Sequence, residues 1–260
     1  MKVCRVLIIF FLGAALLYAS DPWKSKAPEK WDKDDVDKIL KDSPWSKVVA
    51  TGYTVGKEQE KTQSGGGRGT TSPFDSQGGG PTQASEFARV IWWSAKTPRR
   101  AMIRQIELGG MSVAPEQAQK FSESVMEDHV FSLEDNASRK RSAQRLTPDQ
   151  LMQAAWIEIP SKHLKVDCTK AEVIKDQRGG VERIIFMFPR QIDGKPTLDA
   201  DSGKVIFKWK IPELAGGGRG PGKSQEAKAQ EPAEVKFGDA KQFEASFDTK
   251  KMVLSGKIDD

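Results

Sequence analysis

Cysteine, histidine and tyrosine each occur only twice in 260 residues, and each scarcity closes off a reading. Cys4 falls inside an N-terminal leader, which leaves Cys168 alone. A mature chain therefore has no internal disulfide and must be held by its core. His129 and His163 are the only imidazoles available for a metal or for general-base chemistry. His163 lies close in sequence to Asp167 and Cys168, but the spacing fits no regular zinc pattern. Asp128-His129 beside a helix end reads as a capping or surface feature. No G-x-S-x-G elbow is present. A Cys168 nucleophile with His163 is the one dyad that proximity offers, against a small buried thiol in a strand.

An excess of one charge is missing too. The formal charge is +5, and removal of residues 1–20 takes away Lys2 and Arg5 and no acid, which lowers it to +3. The pI near 9.0 thus reflects a modest surplus and not a basic patch, so nucleic acid is a disfavoured partner. Only one long apolar run exists, Val6 to Leu17, preceded by Lys2 and Arg5 and followed by Ala19 and Ser20. That layout predicts a signal peptide over 1–20, against the alternative of a retained membrane anchor. No transmembrane helix is expected after its cleavage.

What remains, about 240 residues, reads as a flexible lead-in over 21–29 and a single α+β domain over 30–260. The segment Phe87–Gly110 is its densest apolar stretch. Val90, Ile91, Trp92 and Trp93 are consecutive and predict a strand buried on both faces, or one with one Trp in the core and the other covered by a neighbour. Thr97-Pro98 reads as an N-cap and first helical residue, with Met102, Ile103, Ile106 and Leu108 as the apolar stripe and Gly109-Gly110 as the stop. Before it, Asp32 caps a helix whose buried face is Val36, Ile39 and Leu40, ended by Ser43-Pro44. Val48–Val55 is a weak strand. After it, Pro115 opens a helix with Ala118, Phe121 and Val125 inward, and Val130–Leu133 is a short strand. Thr147-Pro148-Asp149-Gln150 is a capping box.

Beyond residue 155 strand-like runs dominate: 156–159, 164–174, 181–188, 205–211, 235–237 and 243–254, with a hairpin turn at Gly179-Gly180. Helices thus gather in the N-terminal half, and the C-terminal half is mostly antiparallel β-sheet. Trp45, Trp92, Trp93 and Trp209 are assigned to the core. Two Gly-rich insertions, 57–85 and 215–233, lack the apolar residues to offset ordering entropy.

Literal motif matches are weaker than they look. Gly217 to Ser224 satisfies the phosphate-loop pattern GxxxxGK[ST], but Pro212 and Glu213 replace the buried strand it needs, and no apolar helix follows. Gly65–Gly69 carries a single short GGGRG within a Gly-, Ser- and Gln-rich stretch, and the same five residues recur at Gly216–Gly220, still too little for an RGG-type RNA-binding segment. Arg139, Lys140, Arg141 and Arg145 read as a solvated face. Asp199 and Asp201 sit in a turn-rich loop without the order of an EF-hand. No residue is assigned as catalytic, cofactor-binding or metal-ligating, and no cofactor is expected.

Four segments, 31–47 (WDKDDVDKILKDSPWSK), 89–101 (RVIWWSAKTPRRA), 186–190 (FMFPR) and 247–257 (FDTKKMVLSGK), in that order resemble a group of uncharacterised exported bacterial proteins. The resemblance implies export, to the periplasm or the exterior, and one shared fold, but no activity. The expectation is a cell-envelope protein that binds another envelope protein or a surface polymer, leaning away from an enzyme. The alternative is a secreted or periplasmic hydrolase whose site is assembled from scattered residues.

Overall fold

A computed structural model describes residues 21–51, 87–135, 142–212, 237, 240–254 and 257–259. The leader, both Gly-rich insertions, the phosphate-loop match, residues 139–141 and residues 235–236 lie outside these. The described residues form an α+β fold with antiparallel sheets.

Asp32 opens α2 (Lys33–Lys41) as expected. Its carboxylate accepts from the Asp35 N–H while Asp35 reaches back to the Asp32 N–H, and Val36, Ile39 and Leu40 are buried. The residues before it differ from expectation. Composition suggests a flexible lead-in over 21–29, yet Pro22–Ser25 forms α1, with Pro22 and Trp23 buried. Trp23 packs edge-on against Trp45 at 5.5 Å, and the Trp31 indole N–H donates to the Pro22 carbonyl. One tryptophan in a polar stretch is enough to dock it.

Two sheets carry the core. The larger runs β1 (Ser46–Ala50), β2 (Phe87–Trp92), β3 (Asp128–Asp135), β7 (Val181–Pro189), β6 (Lys170–Lys175), in that spatial order. The smaller runs β11 (Phe243–Asp248), β10 (Lys204–Trp209), β4 (Ala155–Ile159), β5 (Leu164–Asp167). Every pairing is antiparallel. The run 164–174, which reads as one strand in sequence, is two: β5 belongs to the smaller sheet and β6 to the larger. Short pairs β8 (Gln191–Ile192) with β9 (Lys195–Pro196), and β12 (Val253–Leu254) with β13 (Lys257–Ile258), lie outside both.

The inner faces meet through aromatic rings. Phe131 of β3 stacks on Phe207 of β10 at 5.4 Å, Phe186 and Phe188 of β7 close on the same ring, and Trp92 meets Phe247 edge-on at 5.6 Å. The outer face of the smaller sheet is wet: Lys208 pairs with Glu158 at 2.7 Å. The outer face of the larger sheet is covered in part by α2 and by α3 (Lys96–Leu108). This is why Val90, Ile91, Trp92 and Trp93 are all buried: alternate residues enter the sandwich, and the others lie under helices.

α3 starts two residues earlier than Thr97-Pro98 suggests. Its N-cap is Ala95, which offers no side chain, and the carboxylate of Asp259 accepts from the Thr97 N–H at 2.9 Å instead. A cap supplied from 162 positions away has no local signature. The expected apolar stripe is also displaced. Thr97, Pro98, Arg99 and Ala101 are the buried residues, and Leu108 is exposed.

α4 (Pro115–Glu123) begins at Pro115 as expected, but Phe121 and Val125 point outward. It docks through polar contacts. The fully buried Arg99 donates from Nε to the Ala95 carbonyl, from Nη1 to the Phe121 carbonyl and the Ser124 hydroxyl, and from Nη2 to the Ser94 and Ser124 carbonyls. Burial pulls its pKa down, and Asp259 and Glu123 counter that. Beside it, Arg100 grips Glu123 with two hydrogen bonds of 2.7 and 2.8 Å. α5 (Pro148–Gln153) carries the expected capping box between Thr147 and Gln150.

Candidate functional site

The register of the larger sheet assembles a row of side chains on its outer face. Val48 of β1 lies opposite Arg89 of β2, Arg89 opposite Glu134 of β3, and Ile174 of β6 opposite Arg183 of β7. Arg183 completes the row, with Nη1 at 4.0 Å from Glu134 Oε1. Strands 4.8 Å apart with side chains on one face make such a row continuous.

Arg89 commits both Nε, at 2.9 Å, and Nη2 to one oxygen of Glu134. Arg183 is held differently. Its guanidinium carbon lies 5.8 Å from the centre of the Trp93 ring, within cation–π range, and Nη2 pairs with the adjacent Glu182. Its Nε is buried without an acceptor among the described residues. Trp93 is fixed in turn, donating its indole N–H to the Ser132 hydroxyl at 2.6 Å.

Above this row α2 and α3 leave a cleft of about 280 Å³. Leu40, Ile91, Trp93 and Met102 give it apolar walls, and Gln105 contributes an amide. At its edge Lys41 pairs with Asp37 at 2.7 Å, one helical turn apart. The cleft is therefore a polar row on rigid strands with hydrophobic flanks, an arrangement suited to orienting a small ligand.

The residues weighed in the sequence are placed elsewhere. Cys168 is buried at the point where β5 passes into β6, and its thiol donates to the Lys170 carbonyl at 3.0 Å. His163 sits at the opposite end of β5, in left-handed backbone at φ 50°, so the strand separates the two and no dyad forms. Burial pushes the Cys168 pKa up to about 11. Folded Cys168 should thus resist iodoacetamide at pH 8 and react once the chain is denatured. The unfolded thiol ionises near about 8.5. Between that pH and 11 the unfolded state loses its proton first, so stability is full below about pH 8.5 and falls as pH rises toward 11. Denaturation midpoints measured across that range should show the slope, and Cys168→Ala should remove this residue's share of it.

His129 is not a surface feature. It is 1% exposed, its Nε2 lies 3.1 Å from the Thr197 hydroxyl, and its ring meets Trp92 edge-on. Asp199 is used up by its own loop: one oxygen accepts from the Asp201 N–H and the Ser202 hydroxyl, the other from Lys162 at 2.8 Å. The Lys162 hydrogen bond is the first cause of its lowered pKa. Asp199 and Asp201 make a capped turn. No group of three or more His, Cys, Asp or Glu side chains capable of holding a metal occurs among the described residues. No helix among them is long and apolar enough to cross a membrane.

Sequence reading missed Arg89, Glu134 and Arg183 as a site. They come from three strands and no shared motif, and the only local sign was a charged residue, Arg89, inside an otherwise buried strand. Comparison with known protein families, curated proteins and solved structures finds no match for the chain.

Proposed function

We propose that this chain is an exported cell-envelope protein that acts by binding, and that its cleft on the outer face of the larger sheet is where it binds. The observation that carries the reading is the state of Arg183, held over the Trp93 ring at the floor of the cleft with its Nη1 4.0 Å from Glu134 and without a hydrogen bond among the described residues. Arginine on an aromatic face with donors to spare is a common recognition element. The cleft lining holds cations, carboxylates, an amide and apolar groups, which can orient a ligand. Glu134 and Glu182 are both engaged by arginines, so neither stands as a free general base. Export is supported by the leader pattern over residues 1–20 and by the likeness of residues 31–47, 89–101, 186–190 and 247–257 to exported bacterial proteins.

Native mass spectrometry of the protein recovered from its own exported fraction tests the reading. The expected result is a mass that begins near residue 20 or 21, with a bound small molecule, envelope protein or polymer fragment. A chain that keeps its leader inside the cell, or a bare monomer that turns over ester, amide or glycoside substrates, would sink it in favour of the hydrolase.

A further inference from the structure

Arg99 and Arg183 differ in how completely the protein uses them. Arg99 satisfies its guanidinium with five hydrogen bonds to Ala95, Ser94, Phe121 and Ser124. That is the pattern of an arginine placed for structure. Among the described residues Arg183 has Nε without an acceptor, Nη1 at 4.0 Å from Glu134, beyond hydrogen-bond reach, and only Nη2 paired, with Glu182. Glu182 is its neighbour in sequence, 45% exposed, next to the register shift between β6 and β7. A half-exposed neighbouring carboxylate is a weakly held partner.

Resting on the binding reading above, we infer that the cleft takes a small monocarboxylate carried on an apolar group about the size of one amino-acid side chain. The ligand carboxylate replaces Glu182 on the Nη1–Nη2 edge of Arg183, whose orientation the Trp93 ring fixes in advance. Leu40, Ile91 and Met102 take the apolar group. The side-chain amide of Gln105, which makes no hydrogen bond of its own among the described residues, is available to a polar atom beside the carboxylate. Two features set the class. A volume of about 280 Å³ lies just below the roughly 300–1,000 Å³ of pockets for drug-sized ligands. The acids Asp37 and Glu182 at its edge disfavour a multiply charged anion such as phosphate. A free organic acid and the C-terminal residue of a peptide share this chemistry.

Calorimetric titration of the full-length mature protein with three probes tests the inference. The probes are 4-methylpentanoate, N-acetyl-leucine and N-acetyl-leucinamide, which share the branched chain and differ in the carboxylate and the amide. The two carboxylates should bind and the uncharged leucinamide should not. Tighter binding of N-acetyl-leucine identifies a peptide C-terminus, and tighter binding of 4-methylpentanoate identifies a free acid. Arg183→Gln should weaken the carboxylates about ten- to hundredfold, the loss expected for a hydrogen-bonded charge. Glu182→Gln should strengthen them, because it removes the competing carboxylate. If Arg183→Gln does not fold, Glu182→Gln and the probe series still decide. Equal binding of the leucinamide, indifference to both substitutions, or no binding of any probe overturns the inference. A chain that binds none of the probes yet still leaves the cell with a partner retains the broader reading and loses only the ligand class.

Discussion

Replacing Trp92 with alanine should lower the free energy of unfolding by about 3–5 kcal/mol, the range for truncating a large buried aromatic. Trp92 is fully buried, and its ring touches Phe131 at 4.7 Å, Phe247 at 5.6 Å and His129 at 6.0 Å. Phe131 belongs to the same sheet, whereas Phe247 comes from the opposite one. The vacated volume therefore opens in the seam between the sheets, where neither backbone can collapse without shifting the other. For a chain of this size the melting temperature should fall by about 10 °C, read by calorimetry or circular dichroism. Trp93→Ala should cost a comparable amount through a different layer, since its ring lies under the helices. A loss below about 1 kcal/mol at both positions would show that the rings are not packed as described.

Arg99→Met should cost about 3 kcal/mol and act locally. The substitution keeps an unbranched apolar stem, removes the guanidinium and strands the Ala95, Ser94, Phe121 and Ser124 carbonyls it served. A buried acceptor left without a partner costs about 1–3 kcal/mol, and part of that is recovered if α4 swings into water. Limited proteolysis should then cut first within residues 109–127 while the sheets persist. Arg99→Lys should rescue little, because an ammonium offers three donors from one point and not a planar fork of five. If Arg99→Met melts like the parent chain and is cleaved no faster, α4 is held by something other than this arginine.

Local chemistry and distant chemistry were unequally legible in this sequence. The Asp32 and Thr147 caps, the Pro115 helix start and the Gly179-Gly180 hairpin were readable because each is settled within four residues; Gly179 takes φ +77° and Asp176 accepts from the Gly180 N–H. The burial of Trp45, Trp92, Trp93 and Trp209 followed from hydrophobicity alone. The division of 164–174 between two sheets did not, because Cys168 and Thr169 carry no turn signal strong enough to mark the switch. Burial of Arg99 and exposure of Phe121 reversed the usual rule, since α4 is attached by its neighbour's guanidinium and not by its own apolar side chains. The Arg89–Glu134–Arg183 row was invisible for the same reason as the Asp259 cap: pairing register brings together residues that sequence keeps far apart.

Only Cys168 and Thr169 separate β5 in one sheet from β6 in the other, and the Thr169 N–H is tied to the Met187 carbonyl at 2.9 Å. So short a bridge leaves the sheets no room to slide past each other, and shear between them is ruled out as a way for the molecule to change shape. Freedom remains on the other side, where α3 is fastened by side-chain clamps such as Arg104 to the Trp31 carbonyl. Any breathing that admits a guest to the cleft must come from the helices lifting away from a sandwich that stays shut.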